Sequence, residues 1–138
     1  AALERSGRTR ADFQLSYPAF VVTGSTEEAM AGAAEGARRQ IAFYGSTPAY
    51  RPVLELHGWQ DLQGELNRLS KQGAWAEMGG LIDDDMLNSF AVVGEPADAA
   101  AQLLHRLDGI IDRVSFYQPY SLPDADLTAL LQGIKDKA

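Results

Sequence analysis

The sequence predicts an α/β fold built on a parallel sheet. Three short apolar segments, residues 13–23, 90–93 and 110–117, have the composition of strands, and segments with helical periodicity separate them. Strands that alternate with helices pair in parallel through right-handed crossovers. The chain has 138 residues, 46% of them hydrophobic and 22% charged, so we expect a single domain with one core.

The first strand lies in FQLSYPAFVVT, which alternates at Phe13, Leu15 and Tyr17 and becomes continuously apolar over residues 19–22. Such a run is typical of a strand that helices cover on both faces. Pro18 cannot donate to a ladder and therefore predicts the start of the strand or a bulge. The polar residues before this strand, 1–12, are predicted to be a linker or tail with solvated arginines, a phosphate contact being the alternative.

A long helix is predicted after Gly24, with Ser25 and Glu28 in capping-box spacing. Small apolar residues recur along it at helical spacing, which predicts close packing against a neighbour. These residues are Ala29, Met30, Ala33, Ala34, Ala37 and Ile41.

The next stretch, RQIAFYGSTPAYRPVLELHGW (residues 39–59), predicts a helix end, a sharp corner and a second helix. We expect a positive φ at Gly45, capping by Ser46 or Thr47, and a second helix that Gly58 ends. A helical hairpin held only by aromatic packing is the alternative to a functional corner. Four aromatic residues fall within seventeen positions here, namely Phe43, Tyr44, Tyr50 and Trp59.

Further helices are predicted from a cap at Asp61 to Gly73, over residues 97–107 after Pro96, and over 122–137. A short helical segment covers residues 75–82. The acidic run Asp83–Asp85 is attributed to a helix N-terminus, with a metal site as the weaker alternative because the run lacks the alternating ligand spacing of a calcium loop.

Three motifs, FYGSTPAYRPVLELHGW, IDDDMLNSFAVVGEP and DRVSFYQPY, resemble the C-terminal part of the luciferase-like monooxygenase family, and most closely its actinobacterial, deazaflavin-using branch. The resemblance covers residues 13–120. It implies the C-terminal part of a (β/α)8 TIM barrel with about three parallel strands. A complete barrel needs about 250 residues, so the chain is expected to supply about half of one, as an expressed segment or a proteolytic product.

The roughly sixty-five residues between the first two strands exceed what a crossover requires. In a barrel, such an excess belongs to the loop after a strand, over the catalytic mouth. Residues 24–89 are therefore predicted to be a helical excursion over that mouth. The resemblance implies the deazaflavin coenzyme F-420 or FMN in the complete enzyme, and no cofactor in this chain alone, because the family's main cofactor contacts come from earlier strands.

Residues expected on the substrate side match family segments by region only. They are Tyr44, Ser46, Thr47, Tyr50, Tyr117 and Gln118. Ser46 and Thr47 could hold an anion at a helix start, although capping by their own hydroxyls is the simpler use. Tyr117 could stack on a flat ring while Gln118 bonds its polar edge, or both could form a turn onto the last helix. The catalytic residues cannot be assigned from the sequence.

Charge and composition exclude several functions. A net charge of −7 argues against nucleic acid, and no apolar run reaches the roughly 20 residues that span a bilayer. The absence of cysteine excludes thiolate metal sites and fits a cytoplasmic protein. His57, beside Gly58, is expected to be structural.

Two functions remain compatible with these sequence features. The first is a C-terminal fragment of a flavin- or deazaflavin-dependent oxidoreductase, whose partner is the missing N-terminal half of the barrel. The second is a non-catalytic α/β module that binds a partner or forms a homo-oligomer through its apolar edges.

Overall fold

The computed structural model describes residues 2–136, which form eight α-helices and three strands in an α/β arrangement. The predicted α/β class with three parallel strands is confirmed. In chain order the elements are α1 (Ala2–Ser6), β1 (Ser16–Val22), α2 (Glu27–Gly45), α3 (Arg51–Glu55), α4 (Gln60–Lys71), α5 (Trp75–Gly80), α6 (Asp84–Phe90), β2 (Ala91–Val93), α7 (Pro96–Leu107), β3 (Arg113–Tyr117) and α8 (Asp124–Lys135). The predicted end of the last helix, Lys137, lies outside the described residues.

The sheet has the order β2-β1-β3, with β1 in the centre. Its carboxyl half, from Phe20 to Val22, pairs with all of β2, and the stretch from Ser16 to Phe20 pairs with all of β3. Pro18 lies inside β1, opposite Ser115. The strand accommodates this proline without a bulge because β2 does not extend alongside it.

This strand order differs from that of a barrel, in which each strand pairs with the next along the chain. Here the chain moves from β1 to one side for β2 and then across to the other side for β3. When right-handed crossovers run in opposite directions, their helices cover opposite faces, as in a doubly wound sheet. The physical reason is the length of the available edges, since β3 pairs at five positions with β1, whereas β2 has three residues to offer.

Two separate apolar clusters confirm that helices cover both faces. One joins Val22 and Ala91 to the buried sides of α2, α4, α5 and α6, and the other joins Ala19, Val21 and Val92 to α7 and α8. The continuously apolar run of β1 is explained by this double coverage. Residues 24–89 therefore pack on one face of the sheet, and their position over a barrel mouth stays a prediction.

The corner after α2 differs from the prediction. Gly45 ends α2 with helical backbone angles and has no positive φ, so the expectation of a left-handed residue there was wrong. A Cβ at Gly45 would lie 2.9 Å from Cδ1 of Leu66, so glycine permits close approach of α4. Gly58 does have a positive φ, 78°, but α3 ends at Glu55, so the second helix is shorter than predicted and Gly58 belongs to the turn after it.

The helix caps also moved by one or two residues from their predicted positions. Thr26, not Ser25, caps α2, and its Oγ1 accepts a hydrogen bond from the Ala29 N–H. α4 begins after Trp59, which places Asp61 in its first turn. These shifts are small because several residues in each loop could serve as the cap.

The acidic run begins α6, as predicted. Asp83 accepts a hydrogen bond from the Met86 N–H at 2.8 Å, while Asp84 pairs with Arg38 of α2. Carboxylates here cap the helix and complement its dipole. Among residues 2–136, no group of three or more metal-ligating side chains occurs.

The amino-terminal segment contains α1 and a 3-10 turn, Arg10–Asp12, and it contacts the sheet. Arg10 donates to the carboxylate of Asp112 at 2.6 Å, and the Leu15 N–H donates to the same oxygen at 2.7 Å. These hydrogen bonds lower the pKa of Asp112, the backbone N–H of Leu15 contributing most. Asp112 thus fastens the start of β3 to the start of β1.

Candidate functional site

An apolar cavity of about 480 Å³ lies between the sheet and the helices of residues 24–89. Its floor consists of buried side chains of α2 and α3, and its mouth lies beside Tyr50 and Val53, which are 45% and 39% exposed. The lining residues are Pro18, Phe20, Ile41, Tyr44, Gly45, Tyr50, Val53, Leu54, Phe90 and Tyr117. The volume falls in the range of small-molecule sites, roughly 300–1,000 Å³.

Four aromatic rings form one side of the cavity, and we call Phe20, Tyr44, Tyr50 and Tyr117 the aromatic wall. The rings of Phe20 and Tyr117 meet edge to face, with centroids 4.9 Å apart. The ring centroid of Tyr44 lies 5.7 Å from that of Tyr50 and 6.4 Å from that of Phe20. The wall therefore unites three of the six residues predicted from the sequence.

Local sequence explains how α2 presents Tyr44. Ile41, Tyr44 and Gly45 follow at helical spacing from the buried alanines of α2, so all three face the sheet. α2 then ends, and a 3-10 turn that begins at Pro48 reverses the chain and brings Tyr50 beside Tyr44. Pro48 suits this position because its ring fixes φ and its missing N–H has no partner to lose.

Ser46 does not line the cavity. It is 6% exposed, and its hydroxyl donates to the carbonyl of Phe43 at 2.7 Å. Its own carbonyl accepts hydrogen bonds from the side-chain amides of Gln63 and Asn67, at 3.1 and 2.9 Å. Ser46 therefore ties α2 to α4, which is a structural use.

Thr47 is exposed and caps the 3-10 turn through its backbone position, without a side-chain hydrogen bond. Its hydroxyl does not line the cavity. The turn it precedes has three residues, too few for the aligned N–H groups that an anion would need.

Gln118 follows Tyr117 but leaves the cavity. Its side-chain nitrogen is buried and lacks a hydrogen-bond partner among the described residues. The stacking residue Tyr117 and the predicted polar partner Gln118 are thus separated, because consecutive residues of an extended chain point to opposite sides.

Tyr120 connects the segment after β3 to the end of β1. Its hydroxyl donates to the Val21 carbonyl at 2.9 Å and accepts from the Thr23 N–H at 3.1 Å. Gly36 of α2 packs against the same segment, since a Cβ there would come within 2.8 Å of the Pro119 carbonyl oxygen. The segment after β3 is therefore held against both β1 and α2.

The ionisation of the two tyrosines follows from these contacts. The hydrogen bond with Tyr44, whose oxygen lies 3.4 Å away, raises the pKa of the Tyr117 hydroxyl. Burial raises the pKa of Tyr120. Both hydroxyls are therefore neutral at physiological pH and serve as hydrogen-bonding groups.

The cavity suits a flat ring better than a whole flavin-type coenzyme. Aromatic side chains can pack against a conjugated ring, whereas none of the lining residues among positions 2–136 is lysine or arginine. A coenzyme phosphate needs cationic side chains or a row of free backbone N–H groups. The lining residues thus fit a ring and do not fit the phosphate.

Several lining residues were not singled out from the sequence. Ile41 was predicted only as part of the apolar face of a helix, Phe20 only as a strand residue, and Leu54 carried no prediction. Phe90 was predicted to begin a strand but is the last residue of α6. The available signal was weak, namely that Phe20 lies within a run of smaller apolar residues and Phe90 directly precedes one. Phe90 also packs against the stacked rings of His57 and Trp59, so His57 has the structural use predicted for it.

A profile of the luciferase-like monooxygenase family matches residues 1–113, which is most of the chain. The chain belongs to this family. The match includes the first two of the three motifs on which the resemblance was based, together with Tyr44 and Tyr50. It ends before Val114, so Tyr117 and Gln118 lie outside it.

Mycobacterial relatives support the assignment. Uncharacterized proteins Mb1395 of Mycobacterium bovis and MT1405 and Rv1360 of Mycobacterium tuberculosis are each 56% identical to this chain over 112 residues. The aligned region is 81% of this chain and 33% of each relative. The chain thus spans about a third of the length of these relatives. Within residues 2–136, none of the helices has the length and apolar character needed to cross a bilayer.

Proposed function

We propose that this chain is the C-terminal portion of a flavin- or deazaflavin-dependent oxidoreductase. The observation that carries the proposal is the aromatic wall on an apolar cavity that no cation lines. Such a surface can hold one side of a substrate beside a coenzyme whose phosphate is bound elsewhere. The deazaflavin coenzyme F-420 and FMN are the two candidates. F-420 would supply hydride chemistry when bound, and FMN would supply hydride or oxygen chemistry.

In the whole protein we propose a (β/α)8 barrel, which requires β3 to pair with β2 instead of β1. Phe20, Tyr44 and Tyr50 all precede β2 in the chain, so their mutual contacts do not depend on that exchange. Tyr117 reaches the wall through the pairing of β3 with β1, and its place in the whole protein depends on it. A strand from the preceding part of the barrel would then pair with the edge of β1 that β3 occupies in this chain.

In this role the tyrosines orient a substrate ring and exclude water, and their hydroxyls can donate to a substrate oxygen. Replacing Tyr44 by phenylalanine or Tyr50 by leucine in a longer protein, extended to the length of the mycobacterial relatives, tests the proposal. We expect kcat/KM to fall about tenfold, with coenzyme affinity changed less than twofold. Tyr17→Phe, at a tyrosine that does not line the cavity, is the matched control.

Parallel losses of coenzyme affinity and kcat/KM would contradict the assignment of these tyrosines to the substrate side. A longer protein that binds neither coenzyme would contradict the proposal itself.

A second candidate, a non-catalytic module that self-associates, is favoured by one observation. The outer edge of β3 is unpaired within the described residues, and Leu15, Tyr17, Ile110 and Val114 near it are exposed. Unpaired edges with apolar neighbours pair with other chains. Sedimentation equilibrium at high micromolar concentration distinguishes the two, because this candidate requires a concentration-dependent oligomer.

A further inference from the structure

We propose that the apolar cavity of this chain binds an uncharged, flat aromatic molecule that carries one hydrogen-bond acceptor. This inference rests on the proposed function in that it names the ligand class of the same surface. It differs in requiring neither a coenzyme nor the rest of the protein.

The size and lining of the cavity indicate a ligand with a flat, apolar ring system. About 480 Å³ accommodates two or three fused rings, and Phe20, Ile41 and Leu54 offer it only apolar surface. Ile41 and Leu54 are 6% and 4% exposed, so the floor is shielded from water. A ring that moves from water into the cavity gains from the burial of its own apolar surface.

The absence of charged side chains among the lining residues indicates that the ligand is uncharged. The ten lining residues include no acid, lysine, arginine or histidine. An anion would lose its hydration without gaining a partner, and the net charge of −7 repels it further. A cation would find tyrosine faces but no carboxylate. A neutral ligand avoids both costs.

The tyrosine pair defines the acceptor. The oxygens of Tyr44 and Tyr117 lie 3.4 Å apart, and only one of the two protons can lie between them. The other proton has no acceptor among the described residues. A carbonyl oxygen at this place would accept it, and this single polar contact would fix the orientation of the ring.

Three naphthalene derivatives of similar shape separate these features. 2-Acetylnaphthalene is neutral with an acceptor, 2-ethylnaphthalene is neutral without one, and 2-naphthoate is an anion. Ligand-observed NMR titrations against the 138-residue chain give their relative affinities. We expect the ketone to bind at least tenfold more tightly than the carboxylate and about fivefold more tightly than the ethyl compound, which is the size of one neutral hydrogen bond.

Variants then locate the binding. Val53→Trp, at a partly exposed position on the mouth, is expected to abolish binding while the fold is kept, as judged by circular dichroism. Tyr44→Phe combined with Tyr117→Phe removes both protons of the pair, and this double variant is expected to remove the preference for the ketone over the ethyl compound and leave the affinity for the ethyl compound unchanged. Tyr17→Phe, outside the cavity, is expected to leave all three affinities as they are.

Equal affinities for the three compounds, no binding of the ketone, or binding that Val53→Trp does not alter would overturn the inference. The outcome is independent of the proposed oxidoreductase. Ketone binding by the chain together with a longer protein that binds no coenzyme would contradict the enzyme proposal alone, and the reverse result would contradict this inference alone.

Discussion

Glycines in this chain serve two different physical purposes, which can be separated by substitution. Gly58 needs a positive φ and has open space where a Cβ would lie, whereas Gly64, in the middle of α4, has helical backbone angles and equally open space. Gly64 thus has neither constraint, and Gly45 serves the second purpose, because space and not backbone angle is limiting there.

Gly58→Ala is expected to lower the free energy of unfolding by about 1 kcal/mol, because alanine is strained at positive φ. Gly64→Ala, the matched control, is expected to raise it by up to about 1 kcal/mol through helix propensity. Urea denaturation of both variants measures the two changes. Equal effects at the two positions would show that backbone conformation does not decide the outcome.

Replacing Tyr120 is expected to reduce stability more than replacing Gly58, because the Tyr120 hydroxyl forms hydrogen bonds with two backbone groups at the end of β1. Tyr120→Phe leaves the Val21 carbonyl and the Thr23 N–H without that partner, which is expected to cost about 1–3 kcal/mol of stability. Tyr17→Phe removes a hydroxyl from a 41% exposed side chain and is expected to change stability by less than about 0.5 kcal/mol. Similar losses for both variants would contradict the role given to Tyr120.

Residue patterns predicted local features well and spatial partners poorly. The spacing of small residues in α2 correctly predicted a packed face that includes Ala33 and Ala37, and Thr47 precedes the next turn as one of the two residues predicted to cap it. The use of Ser46 to join α2 and α4 could not be predicted, because its partners Gln63 and Asn67 lie a whole helix away in sequence. The positions of Phe20 and Phe90 in the cavity lining depend on similar long-range contacts.

At the scale of elements, strand existence followed from composition, whereas strand order did not. Apolar runs identify strands buried on both faces, but they carry no information about which edges meet. Which strands pair depends on the lengths of the strands and on polar contacts between them. One such contact is made by Asp112 at the start of β3, whose carboxylate accepts hydrogen bonds from Arg10 and the Leu15 N–H. These contacts favour the pairing of β3 with β1 in this chain.

The pairing of β3 can be tested by cross-linking, since the chain contains no cysteine. Tyr17 and Val114 are register partners and both are exposed, so Tyr17→Cys combined with Val114→Cys is expected to form a disulfide on mild oxidation. Tyr17→Cys with Ser115→Cys is the control, because Ser115 faces the opposite side of the sheet. Equal cross-linking of both pairs would contradict the register.

The same pair distinguishes the topologies of the chain and of the longer protein. In a barrel β3 lies beside β2, so the longer protein with Tyr17→Cys and Val114→Cys is expected to remain uncross-linked. Efficient cross-linking there would show that β3 stays beside β1, and the proposed barrel would be wrong.

At the scale of the whole molecule, the proposed function depends on the cavity of this chain and on the part of the mycobacterial relatives that the chain does not span. It contains an aromatic wall on an apolar cavity, and it spans about a third of the length of its mycobacterial relatives. Within the described residues the cavity offers no cation for a coenzyme phosphate. Coenzyme binding should therefore require the additional part of the relatives.

Titration of the deazaflavin coenzyme F-420 and of FMN against the 138-residue chain and against the longer protein tests this claim most directly. Coenzyme fluorescence is expected to show no saturable binding to the chain at about 100 µM, and micromolar binding of one coenzyme to the longer protein. Micromolar binding to the chain alone would contradict the claim, because the about 8 kcal/mol it represents cannot come from a ring surface without a phosphate site.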